Sequence, residues 1–294
     1  MEPLISVKIP TYNCATYLIQ TIESVLNQKD FDLDLLDIEV IDDSSTLDNP
    51  EEVVNKYGLG RVKFHRQPQN VGAVKNFNTC IERSKYKYLH ILHGDDYVES
   101  NFYSEIYKMI VSQDAELFST RSYMVNESSS IVADSNIILN TNLDNFKYHT
   151  PIQFASVIFS TSLAKSNGGF DESLIHLNDR DMWLRLTSVS KWVHSNKILA
   201  NYRVFKGNDS SKLIKTGKNL LDYHRFYDKH ADNLNLSTAQ IHTILFNMYI
   251  NQSLTLSNSD LTSNRLIIKS ILGRSHIKFL IRSKLKSLIK KIIK

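Results

Sequence analysis

Four strand-like runs occupy the first hundred residues, and each is followed by residues that read as a stop. Leu4–Ile9 halts at Pro10-Thr-Tyr-Asn13, and Leu36–Ile41 at Asp42-Asp43-Ser44-Ser45. The shorter, more polar Arg61–Arg66 halts at Gln67-Pro-Gln-Asn-Val-Gly72, and Tyr86–Leu92 just ahead of Gly94-Asp95-Asp96. Helical spacing fills the gaps: Leu18, Ile22, Val25 and Leu26, then Glu51 to Tyr57 behind Pro50, then Ala73, Val74, Phe77, Cys80 and Ile81. A fourth helix is expected from about Phe102 to Val111. Strands alternating with helices build βαβ units and a mainly parallel sheet. Such sheets bind ligands beyond the carboxyl ends of their strands, where Pro10–Asn13, Asp42-Asp43 and Asp95-Asp96 are expected to converge.

Paired carboxylates repel one another at this spacing. The arrangement makes sense when a cation, a sugar hydroxyl or a uracil-like ring is the intended neighbour. A third acidic place, Asp179 and Asp181, stands beside Trp183. Past Ala115 the periodic pattern weakens. Residues 126–150 are rich in Asn and Ser and read as a polar excursion or lid. Asn167-Gly-Gly-Phe-Asp-Glu172 reads as a turn, and a helix carrying Met182, Leu186 and Val189 is expected after it. Residues 218–257 read as helices, with Ile241, Leu245 and Met248 at helical spacing.

With 294 residues, 42% hydrophobic and 22% charged, the chain has ample material for a core. Its two cysteines, Cys14 and Cys80, are too few for a disulfide framework, so a reducing compartment is expected. The start lacks the basic and apolar regions of a signal peptide, and no run of 18 apolar residues occurs. Ten of the 35 Lys and Arg fall in 265–294 without a single acid, leaving 25 bases against 31 acids before it. There Ile281, Leu285, Leu288, Ile289 and Ile292 follow helical spacing, flanked by Arg282, Lys286, Lys290 and Lys294. A basic amphipathic element of this kind suits an anionic membrane surface. Phe279 is its only aromatic, which gives nucleic acid little to stack on. Packing on its own domain or on another subunit is the competing reading.

In order along the chain, Ser6-Val-Lys-Ile-Pro-Thr-Tyr-Asn13, Val40-Ile-Asp-Asp-Ser-Ser45, Asn70-Val-Gly72 with Lys75-Asn76, Leu92-His-Gly-Asp-Asp96, Gly168-Gly-Phe-Asp-Glu172 and Asn178-Asp-Arg-Asp-Met-Trp-Leu-Arg185 resemble the family 2 glycosyltransferases. The resemblance spans about residues 5–205. It implies an α/β GT-A fold and inverting transfer of a sugar from a UDP- or dTDP-linked donor to a glycan or lipid-linked glycan hydroxyl. Carried over by residue, Asp43 would accept from the base's ring N–H, and Pro10, Thr11, Tyr12 and Asn13 would line the nucleoside pocket. Asp95 would face the ribose, Asp96 would ligate a Mg²⁺ or Mn²⁺ ion, and Lys75 would contact the nucleotide. Asp179 would be the general base, with Asp181 the rival. Departures accompany the match: Asn178 and His93 stand where acids are usual, Lys75 replaces an arginine, and Phe205 replaces a histidine. A His90, His93 metal pair is disfavoured, because strand residues three apart face opposite sides.

The expected layout is therefore a GT-A domain over 1–205, a helical region over 206–262 and a basic amphipathic tail over 263–294. It points to a cytoplasmic enzyme peripheral on the inner membrane face, with no nucleic-acid partner and the oligomeric state open. A non-catalytic nucleotide-sugar or membrane scaffold is the alternative.

Overall fold

The computed structural model describes residues 2–135, 138, 140–205 and 209–273. The chain divides into two compact units, Met1–Glu172 with Asn178–Phe205, and Ser173–Leu177 with Lys206–Lys294.

The first unit begins with the alternation expected: β1 (Ile5–Thr11), α1 (Ala15–Leu26), β2 (Leu36–Asp42), α2 (Pro50–Tyr57), β3 (Val62–Arg66), α3 (Ala73–Arg83) and β4 (Tyr88–Ile91). The short β5 (Tyr97–Val98) and α4 (Phe102–Ser112) follow, then β6 (Leu117–Val125), β7 (Ile131–Asp134), β8 (Val157–Ser160), α5 (Thr161–Ser166), α6 (Asn178–Val189) and β9 (Trp192–Arg203). The sheet order is β3-β2-β1-β4-β8-β6-β9-β5, with β7 added on β6.

The strands β1 to β4 are parallel, with Thr11 opposite Asp42 and Asp42 opposite Arg66. Beyond β4 the mainly parallel expectation is corrected. There β8 runs antiparallel to β4 and β6, β7 antiparallel to β6, and β5 antiparallel to β9, while β6 and β9 are parallel. The sheet is mixed. Sequence reading missed β6 and β9 because they bury Ser119, Thr120, Ser122 and Asn201, which blur the apolar pattern. Among its described residues, the polar stretch 126–150 holds β7 and a 3₁₀ turn at Leu143–Phe146.

One face of the sheet is apolar, with Leu18, Ile22 and Val25 of α1 and Phe102 and Ile106 of α4 packed into the cluster of Val7, Ile9 and Val40. The other face buries charge. Lys8 donates to Asp37 and Glu39 at 2.9 and 3.0 Å, and Arg83 of α3 also reaches Glu39. Buried ions require such partners.

The second unit carries α7 (Asp209–Thr216), α8 (Lys218–His230), α9 (Thr238–Ser253) and α10 (Asn258–Leu272). A capping box between Ser237 and Gln240 opens α9, which buries Ile241 and Leu245 and leaves Met248 half-buried. Asn264 of α10 donates to the Ile214 and Lys215 carbonyls, tying α10 to α7. Residues 274–294, most of the basic tail, lie outside the described residues. No described helix is long and apolar enough to cross a membrane.

Candidate active site

The carboxyl ends of β1, β2 and β4 are stitched together by the main chain. Asp43 N–H donates to the Thr11 carbonyl at 2.9 Å, and Gly94 N–H to the Pro10 carbonyl at 3.0 Å. Three of the sequence stops thus share one rim. Gly94 is there because nothing larger fits: a Cβ would lie 2.9 Å from Thr11 Oγ1 and 3.0 Å from Cys14 Sγ. Pro10 and Thr11 are buried in the rim, while Tyr12 is 46% exposed. Asn13 takes a left-handed φ of 51° and turns its side chain to the next loop. Its Oδ1 accepts from Thr46 and Leu47 N–H, and its own N–H donates to Ser45 Oγ.

Asp42 and Asp43 divide their work. Asp42 is fully buried and bound to Ser45 and to Arg66 Nε at 2.7 Å. Asp43 accepts from Val71 N–H at 2.7 Å and Gly72 N–H at 2.9 Å, one to each oxygen, anchoring the loop that leads into α3. Burial raises its pKa, and these two N–H bonds oppose the rise. Asn76, buried one turn into α3, donates to the Ile41 carbonyl and accepts from Gln67. Lys75 points outward, 3.9 Å from Glu172. Asn78 clasps Phe170 through both its N–H and its carbonyl. Gly169 permits this, since it has φ +67° and a Cβ there would stand 2.6 Å from Asn78 Oδ1.

Asp96 is almost wholly buried. Its Oδ1 accepts from Arg203 N–H at 2.8 Å, whereas Oδ2 is buried and makes no hydrogen bond. Burial first, then the charge of Asp95, pushes its pKa well above the ordinary range. His93, Asp95 and Asp96 each offer one ligand atom, all within 4.8 Å of one another. His93 Nδ1 is 3.8 Å from Asp96 Oδ2. The His93 ring stacks on Phe77, at 4.9 Å and 10°, and meets Phe154 at 4.4 Å. Burial drives its pKa down to about 4, so it is neutral at physiological pH. An orphaned buried carboxylate oxygen, a second carboxylate and a neutral imidazole fit a divalent cation.

His93 escaped sequence reading because it was judged with His90 as a strand pair. In fact β4 ends at Ile91, and the two histidines have unrelated surroundings. His90 is buried, bonded to Tyr103 and the Ala155 carbonyl. Arg203 was missed too. It is buried, donating from Nε to the Asp95 carbonyl, from one terminal nitrogen to the Asn126 and Glu127 carbonyls, and from the other to Gln20.

Helix α6 presents the last acidic pair. Asp181 is fully buried and bound by Arg185 Nε at 2.8 Å, and Arg185 also donates to the Asn167 and Gly169 carbonyls. Asp179 is only partly covered and accepts from Arg180 N–H at 2.6 Å. Burial raises its pKa to about 6, against the Arg180 N–H bond and charge. Trp183, one turn further on the same helical face, contacts Phe154, which in turn contacts His93. The Arg180 guanidinium donates to the Phe146 carbonyl, fastening the Leu143–Phe146 turn to the start of α6. Trp183 and Trp192 are core residues.

The family profile "Glycosyl transferase family 2" matches residues 6–164. Chondroitin synthase of Pasteurella multocida is 31% identical over 230 residues, covering 74% of this chain and 22% of that protein. Hyaluronan synthase of Pasteurella multocida is 32% identical over 223 residues, covering 71% and 21%. The chain therefore spans about a fifth of the length of these relatives. The structure of S. aureus TarS 1-349 in complex with UDP-GlcNAc matches with a TM-score of 0.63 at 19% identity, covering 87% of this chain and 74% of that one.

Proposed function

This chain belongs to glycosyl transferase family 2, and on that footing we propose that it transfers a sugar, with inversion, from a UDP- or dTDP-linked donor to a hydroxyl of a glycan or lipid-linked glycan. The observation that carries the reading is the buried, unpartnered Oδ2 of Asp96, with His93 and Asp95 in reach at the ends of parallel strands. Asp96, helped by its neighbours, would hold a Mg²⁺ or Mn²⁺ ion. When bound, that ion offsets the negative charge of the donor diphosphate and stabilises the departing nucleoside diphosphate.

The chain's own residues account for the rest. Pro10, Thr11 and Tyr12 form one wall of the nucleoside pocket, and Asn13 shapes it by holding the loop 45–47. Asp43 keeps lone pairs free beyond its two backbone bonds and accepts from the base's ring N–H. Asp95 faces the ribose, and Lys75, released from its loose pairing with Glu172, reaches the nucleotide. Asp179 takes the proton of the acceptor hydroxyl as that oxygen bonds the anomeric carbon and the bond to the diphosphate breaks. A base with a pKa of about 6 is ionised at neutral pH yet still basic enough to matter, a role worth about 10²–10⁴-fold. The relatives are named for polysaccharide synthesis, which supports surface glycan as the acceptor class.

The basic residues of 265–294 suit the anionic cytoplasmic face of a membrane, where a lipid-linked acceptor would be presented. Incubation with radiolabelled UDP-sugars, Mn²⁺ and lipid-linked acceptors is expected to release UDP and label the lipid fraction. Asp96→Ala is expected to abolish transfer and Asp179→Asn to slow it by about 10²–10⁴-fold. Full activity in both variants rejects the site.

A further inference from the structure

We infer that His93 is a nitrogen ligand of the cation held at Asp96, and that it biases this site toward Mn²⁺ and the later first-row ions over Mg²⁺. The inference rests on the metal-dependent reading above and adds the ligand that decides which metal.

The geometry has three parts. Nδ1 of His93 and Oδ2 of Asp96 are 3.8 Å apart. Two ligands about 2.0–2.2 Å from a common ion stand at most about 4.4 Å apart, so both can bind it with little main-chain movement. Oδ2 is the buried oxygen without a hydrogen bond, while Oδ1 is occupied by Arg203 N–H, so the open ligand site is the one nearest the imidazole. The imidazole is gripped by Phe77 and Phe154, whose rings restrict its rotation and hold Nδ1 toward the carboxylate.

The chemistry then separates the ions. Mg²⁺ prefers near-octahedral oxygen ligands, whereas an imidazole nitrogen adds affinity for Mn²⁺ and more for Co²⁺ and Ni²⁺. An aspartate at this position would supply a hard oxygen and a further negative charge. His93 withholds both. The ring's other nitrogen, Nε2, is buried without a hydrogen-bond partner. It therefore carries the proton when Nδ1 ligates, and no hydrogen bond there strengthens the ligand.

The test uses the full chain with UDP and Mn²⁺, read by pulsed electron paramagnetic resonance. Wild type is expected to show ¹⁴N coupling to Mn²⁺ that becomes ¹⁵N coupling after ¹⁵N-histidine labelling and vanishes in His93→Gln. Calorimetric titration of His93→Asp is expected to weaken Co²⁺ and Ni²⁺ binding at least tenfold while leaving Mg²⁺ binding equal or tighter. Absence of histidine nitrogen coupling in the labelled wild type overturns the inference even if neither variant folds, and presence assigns His93 through its loss in either variant. Mn²⁺ bound without histidine nitrogen coupling, or with coupling that persists in a folded His93→Gln, overturns the inference and leaves metal-dependent transfer standing. Failure of wild type to bind any divalent ion with UDP present overturns both.

Discussion

Arg185 Nε lies 2.8 Å from Asp181 Oδ2 across one turn of α6, and that pair makes Asp181 the less suited of the two acids to take up a proton. A carboxylate that is fully buried and already committed to a guanidinium is a poor proton acceptor. Asp179, two residues earlier, has the partial exposure and raised pKa that a base needs. Neutralising each acid is expected to separate the roles. Asp179→Asn should lower kcat by about 10²–10⁴-fold with the fold intact. Asp181→Asn should instead lower Tm by several degrees, since it strands Arg185 beside an uncharged partner. Turnover and thermal melts on both variants check this.

The pH profile follows from the same residue. Asp179 must be ionised to accept a proton, so kcat/KM is expected to fall tenfold per unit below an apparent pKa of about 6. Stability moves the other way. A carboxyl whose folded pKa lies above its unfolded value stabilises the native state only while protonated, so its contribution is lost as pH rises through about 6. Asp179→Asn removes that titration. Its Tm relative to wild type should increase as pH goes from 4 to 8.

Arg203 is expected to act as a positioning residue for the acidic rim. Its N–H holds Asp96 Oδ1, its Nε holds the Asp95 carbonyl, and its guanidinium lies 4.6 Å from the Tyr17 ring centroid. Arg203→Met keeps the backbone contact but frees the Asp95 carbonyl. Groups behind metal ligands typically change affinity about 10–100-fold. The expected outcome is a rise of that order in the Mn²⁺ concentration for half-maximal activity, with kcat partly restored at saturating Mn²⁺. Arg203→Lys should recover little, because an ammonium cannot reproduce the forked contacts.

Gly94→Ala is expected to cost at least tenfold in kcat/KM and to lower Tm. Its methyl would stand 2.9 Å from Thr11 Oγ1, forcing β1 and the acidic element apart at the rim. Circular dichroism should show the fold retained, since the strain is confined to the strand ends.

Much of the parallel half was legible. The ends of the apolar runs lie within two or so residues of the strand ends, β1 running on through Pro10 to Thr11, and Leu18, Ile22 and Val25 repeat at helical spacing, because burial on one face imposes those periods. Asp95, Asp96 and Asp179 could be singled out as carboxylates. The second half of the sheet could not be read. Ser119, Ser122 and Asn201 are buried on strands that carry polar side chains into the interior, so β6 and β9 resemble surface segments until their pairing is known.

The sequence by itself determined which residues are acidic, where buried strands must stop, and that two of those stops bear paired carboxylates. Only the tertiary structure decided what each carboxylate does. Asp42 is taken up by Arg66 and Asp181 by Arg185, Asp43 anchors the loop amides with one bond to each oxygen, and Asp96 keeps an oxygen open beside His93. The reason is physical: an acid's role depends on its desolvation and on the donors around it. Those donors come from residues as distant in the chain as Val71 and Arg203, which no local pattern connects.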